Sequence, residues 1–236
     1  MAVATDKVRQ PLGLIAATVI AAVAMLAAIY LALIVAPPAA GLTPDETYAQ
    51  RIIYFHVPCA WLSMLSFGIT AIGSIGYLST AKRKWDSLAV AAAELGIVFT
   101  LAATASGSMW AKPAWNVWWT WDPRLTTYTI VFLLYVAYFM LRSAMDDPAR
   151  RARFAAVYGI FAFLSVPITF MSIRWWRTIH PVLLDSKNFG LSEGMRGPFF
   201  FSLAAFTFTF FVLLAHRYRL EKLQEQAEIV RDRLAY

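Results

Sequence analysis

The chain has three histidines, one cysteine and nine tryptophans, and their placement narrows the chemistry open to it. His56 stands in Arg51-Ile-Ile-Tyr-Phe-His56-Val-Pro58, and His180 in Arg174-Trp175-Trp176-Arg177-Thr178-Ile179-His180-Pro181. Each imidazole has aromatic and arginine neighbours. Apart, each is a polar group at the end of an apolar helix; together they are candidate axial ligands for an iron held in a flat porphyrin. Two histidines cannot complete a four-ligand structural zinc site. The lone Cys59 excludes an internal disulfide, a CxxC thiol pair and a CxxCH haem-attachment motif. No nucleophile and base stand paired in these segments, so the expectation is a binding protein and not an enzyme.

Five of the nine tryptophans fall between Trp110 and Trp121, followed by Asp122-Pro123-Arg124. Were Pro113 to open a short helix, Trp115, Trp118, Trp119 and Asp122 would share one face at i, i+3, i+4 and i+7. Interfacial tryptophans commonly form an anchoring belt. A belt spreads over both ends of the spans, whereas seven of these nine crowd two segments, which suits a platform for a large planar apolar ligand. Arg51 and Arg124 either neutralise Asp45, Glu46 and Asp122 or clamp ligand carboxylates bidentately; Arg174 and Arg177 are further candidates. Asp122 reads as the N-cap of a helix begun by Pro123, placed to set the angle of the aromatic platform.

The elements that must position these residues are membrane helices. Of 236 residues, 60% are hydrophobic and 15% charged, against about 25% charged in soluble domains. Apolar runs long enough to cross a bilayer occupy Leu12–Val35, Ile52–Leu78, Leu88–Met109, Leu125–Leu141, Phe154–Ile173 and Pro198–Leu214, with no period-two alternation. The expected fold is all-α integral membrane, a six-helix bundle. Two-thirds of the 21 Lys and Arg fall on the side shared by the termini, including Lys7, Arg9, the Lys82–Lys84 turn and Arg150–Arg153. That side is read as cytoplasmic, so both termini face in and the Trp-rich segment lies at the outer face. The +7 net charge is a topology signal, with no nucleic-acid partner implied.

A membrane domain over residues 1–216 is expected, with outer loops at about 37–51, 110–124 and 174–197 and a cytoplasmic amphipathic tail over 217–236. The first span is read as a retained anchor, being longer than a signal sequence's apolar core. Thr43-Pro44-Asp45-Glu46 has the pattern of a capping box. Gly68, Gly73 and Gly76 suit close helix approach, Pro167 suits a kink, and Glu94 is a carboxylate inside a span. For Glu94 either a function or a hydrogen bond to a nearby Ser, Thr or Tyr is open, as is contact with another protein of a complex.

The stretch Trp115-Asn-Val-Trp118-Trp119-Thr-Trp121-Asp122-Pro123-Arg124 resembles the tryptophan-rich "WWD" signature of haem-handling proteins. With the two histidine segments in the same order, Gln50 to Pro198 resembles the CcmC family, the haem-handling branch that serves cytochrome c maturation. The family usually has Gly-Thr where this chain has Asn116-Val117, Gly in place of Ala111 and Asn in place of Arg177. The resemblance implies haem b held non-covalently at the outer face of the bacterial inner membrane, with His56 and His180 as axial ligands. It implies that Trp115, Trp118, Trp119, Trp121 and Asp122 hold the porphyrin, with Arg51 and Arg124 near it. The implied partners are a membrane-tethered haem chaperone, an ABC-type ATPase with its membrane subunit, and a small single-span subunit. Alternatives are a haem lyase of the same superfamily and a membrane protein that moves haem across the bilayer.

Overall fold

A computed structural model describes residues 11–39, 43–181 and 190–234. Their regular structure is helical: α1 (Leu12–Tyr30), continued by a π-helical turn over Leu31–Val35, then α2 (Pro44–Gln50), α3 (Ile53–Thr80), α4 (Arg83–Trp115), α5 (Pro123–Ser143), α6 (Pro148–Phe163), α7 (Ser165–Trp175) and α8 (Glu193–Leu234). Six stretches are long and apolar enough to cross a membrane: Leu12–Val35, Glu46–Thr80, Arg83–Trp115, Pro123–Ser143, Pro148–Trp175 and Glu193–Arg231. Each contains one of the six expected spans. Lys7, Arg9 and Lys187, which entered the charge comparison, lie outside the described residues.

Local sequence explains most of the boundaries. Thr43 and Glu46 close the capping box of α2: the Thr43 N–H donates to the Glu46 carboxylate at 2.9 Å and the Glu46 N–H to the Thr43 hydroxyl at 3.4 Å. The Asp122 carboxylate caps α5 by accepting from the Leu125 N–H at 3.0 Å. In the fifth span α6 stops at Phe163, four residues before Pro167. Proline has no N–H to give that carbonyl, and its ring crowds it.

α3 and α4 form the central antiparallel pair. Gly73 lets them close up: a methyl there would sit 2.9 Å from the Trp85 carbonyl oxygen. α6 covers one side of α3, α8 packs on α1, α3 and α4, and α5 lies against α6 and α7. Ser63, Ser66, Thr70 and Ser74, spaced by three or four residues on α3, are all fully buried. Ser63 pairs with the Tyr128 hydroxyl at 2.9 Å, and Thr70 donates to the Ala89 carbonyl at 3.2 Å. Where lipid offers no hydrophobic drive between helices, such small and hydroxylated contacts supply the packing.

Charge pairs tie the bundle at the end away from His56 and His180. Arg142 grips Asp86 with two hydrogen bonds of 2.6 and 3.1 Å, both side chains buried. Glu94 pairs with Arg217, which also holds Glu221 at 2.9 Å, and Arg83 pairs with Glu225 at 2.9 Å. Glu94 therefore meets a counter-charge on α8 instead of a neutral hydroxyl. A carboxylate inside a membrane needs one, and α8 supplies it because its 42 residues continue unbroken past the end of the apolar run.

Candidate functional site

The ends of α3, α4, α5 and α7 opposite those ion pairs enclose a cavity of about 280 Å³. Its wall includes His56, His180, Trp110, Trp115, Trp118, Trp119, Arg124, Tyr128 and Arg174. The two imidazoles, 124 positions apart in the chain, stand with ring centres 6.4 Å apart and planes inclined by 39°.

Both rings are oriented by their Nδ1. His56 Nδ1 lies 2.9 Å from the Ala103 carbonyl oxygen and 3.2 Å from the Ser106 hydroxyl. His180 Nδ1 lies 3.1 Å from the Pro181 carbonyl oxygen. A carbonyl only accepts, so each bond calls for a proton on Nδ1 and leaves a lone pair on Nε2. That is the arrangement by which proteins fix metal-binding imidazoles. Gly107 makes room for the first ring: a methyl on it would approach His56 Cε1 to 2.8 Å. His180 lies beyond the last turn of α7. Burial, and next the charge of Arg124, hold its pKa below the usual value, against opposing contributions from the Pro181 carbonyl and Asp122. A neutral, ligating imidazole is thereby favoured.

The tryptophan platform is built differently from the sequence expectation. Pro113 opens no helix; it lies within the last turns of α4, which runs on to Trp115. Asn116 ends α4 in the left-handed region, φ 58° and ψ 14°, and residues 116–122 continue without helix. Asparagine is among the few residues other than glycine that accept this conformation readily, so Asn116 can turn the chain where the resembling proteins usually carry glycine. The Ser108 hydroxyl holds the Trp118 carbonyl at 2.7 Å, and Lys112 Nζ holds the Asn116 carbonyl at 3.1 Å. Trp110 and Trp115 meet edge to face at 5.1 Å, and the Trp110 indole donates to Gln50 at 3.1 Å.

The other expected site residues divide. Arg124 is on the cavity wall and donates to the Thr169 carbonyl on α7. Arg51 is absent from the wall; its guanidinium donates to the Ala32 and Leu33 carbonyls in the π-helical turn that continues α1, where the negative end of a helix attracts a cation. Trp121 is 72% exposed beside Trp119, with ring centres 5.8 Å apart. Asp122 also stays off the wall: one carboxylate oxygen caps α5 and the other accepts from the Thr178 hydroxyl. Trp175, Trp176 and Arg177 are exposed. Sequence reasoning missed the supports Ala103, Ser106 and Gly107, whose only signal is a Ser-Gly-Ser interruption of an apolar run.

Among the described residues no group of three or more His, Cys, Asp and Glu could hold a metal ion. A metal here would bring its remaining ligands with it. Two imidazoles bound at about 2 Å to one metal have ring centres up to roughly 6 Å apart, so at 6.4 Å the two rings are close enough that both could reach a single metal. Fold and cavity together define a multi-pass membrane protein with a tryptophan-lined bis-imidazole site at one end.

The family model "Heme exporter protein C" (CcmC) matches residues 6–233, and the chain belongs to that family. It is 38% identical over 179 residues to "Heme exporter protein C" of Bradyrhizobium diazoefficiens, covering 73% of this chain and 68% of that protein. It is 37% identical over 172 residues to the protein of the same name from Escherichia coli K12, covering 70% and 69%. A ccmC-like mitochondrial protein of Marchantia polymorpha, named for cytochrome c biosynthesis, is 34% identical over 190 residues, covering 79% of each chain.

Proposed function

We propose that this protein binds haem b non-covalently at the outer face of the bacterial inner membrane, and presents it to a membrane-tethered haem chaperone during cytochrome c maturation. The observation that carries the reading is the pair of imidazoles 6.4 Å apart, each with Nδ1 turned to a carbonyl. His56 and His180 would hold the iron, and the porphyrin would supply the ligands that the described residues lack. Trp115, Trp118 and Trp119 provide apolar faces for the macrocycle, and Arg124 a cation for a propionate. Trp121, exposed beside Trp119, is assigned to the open edge; Arg51 and Asp122 hold the walls in place. A cavity of about 280 Å³ lies just below the usual range for ligand sites, so a bound porphyrin would leave part of itself outside, open to a partner.

The names of the relatives support haem handling, and the distribution of Lys and Arg supports the inward termini and outward site. No covalent chemistry is assigned to this chain. The proposed assembly also holds an ABC-type ATPase, the membrane partner of that ATPase, and a small single-span protein. The test is to purify the protein with His56→Ala and with His180→Ala and record the haem absorption spectrum. Loss of the low-spin spectrum in both variants is expected; unchanged low-spin haem in both refutes axial ligation.

A further inference from the structure

One hydroxyl links the Trp segment to the histidine that follows α7. The Thr178 hydroxyl donates to Asp122, since an ionised carboxylate can only accept, and its lone pair receives the His180 backbone N–H at 3.1 Å. Both hydrogen bonds are fixed in direction. The second Asp122 oxygen is fixed too, by the Leu125 N–H at the start of α5. The sequence Asp122–Thr178–His180 therefore runs from the first turn of α5 to the backbone of one proposed iron ligand. Arg124, two residues along, ties the same turn to the Thr169 carbonyl on α7, which the Ser172 hydroxyl also reaches at 2.7 Å.

We propose that Thr178 is the positioning residue for His180: it fixes the histidine's backbone to the N-terminus of α5, so that the axial ligand and the Trp segment move as one unit. The inference rests on the bis-imidazole reading and adds to it a residue that touches neither iron nor porphyrin. Valine has nearly the same shape as threonine but can neither donate to Asp122 nor accept from His180. Serine can do both. Asparagine at 122 can still cap α5 through its oxygen. Its amide then donates toward Thr178, competing with the His180 N–H for the same hydroxyl oxygen.

The experiment loads purified protein with haemin and follows the low-spin fraction by absorption and electron paramagnetic resonance, for the parent, Thr178→Val, Thr178→Ser, Asp122→Asn and His180→Ala. Thr178→Val is expected to weaken haemin retention about tenfold and to raise the five-coordinate fraction. Free imidazole should restore the low-spin signal by replacing the misplaced ligand. Thr178→Ser should behave as the parent and Asp122→Asn should fall between. A low-spin fraction in Thr178→Val equal to the parent's, with His180→Ala altered, overturns the positioning role and leaves axial ligation standing. An unaltered His180→Ala overturns the ligation reading itself. Equal loss in the valine and serine variants also overturns the proposal, since a general packing defect would ignore the restored hydroxyl.

Discussion

Replacing Gly107 by alanine separates ligand placement from helix stability. The added methyl would stand 2.8 Å from His56 Cε1 and 3.2 Å from Nδ1. Ordinary carbon contacts lie at about 3.5–4.0 Å, so the ring must retreat by roughly 0.7 Å or more. That movement stretches the 2.9 Å bond from Nδ1 to the Ala103 carbonyl and changes the placement of the ring relative to His180. Without ligand the ring can move into the cavity at small cost. With iron between the imidazoles it cannot. Loss of such an outer support lowers metal affinity by about 10- to 100-fold. The backbone change acts the other way, because alanine is better than glycine within a helix by about 0.8–1.0 kcal/mol in peptide hosts. Haemin titration of the purified variant, with thermal unfolding of the haem-free protein alongside, reads both effects. Weaker haemin binding with unfolding unchanged or shifted upward is expected. Parent-like haemin affinity would refute the claim that the Gly107 gap sets the His56 ring.

Two further perturbations follow from other parts of the bundle. Arg142→Met leaves Asp86 buried and unpaired and should cost about 3–5 kcal/mol, seen as a fall in detergent-phase unfolding temperature; adding Asp86→Leu should recover most of it, and equal stability of the single and double variants would count against the pairing. In haem-free protein the His180 ring should titrate below 6.5, because burial and Arg124 disfavour its charged form. Its contribution to stability is then complete above that pH and falls away on acidification. Arg124→Gln should move the titration upward in ring-proton spectra, and a downward move would reverse the assigned cause.

What the sequence makes legible depends on the range of the interaction. The six spans follow from apolar run length alone, and the caps at Thr43 and Asp122 from patterns four residues wide. The pairing of His56 with His180 is suggested by their neighbours, but its 6.4 Å spacing depends on the whole bundle bringing the first turns of α3 near the segment that follows α7. The platform misleads because Pro113 has the look of a helix start. The stronger local signal is Asn116, which takes the positive φ that ends α4. Arg51 and Glu94 carry charge without direction. Each points to a partner on a distant element, Ala32 and Leu33 for the one and Arg217 for the other, and no local pattern names a contact that far along the chain.

The 42 residues of α8, at about 1.5 Å each, make a rod roughly 63 Å long, twice the hydrocarbon thickness it must cross. Its lower half is bolted to α4 through Glu94 and through Arg83 with Glu225. The upper half of α4 carries Ala103, Ser106 and Gly107, the backing of His56. The two helices are thus splinted side by side: the helix that α8 braces at one end is the one that backs the His56 ring at the other.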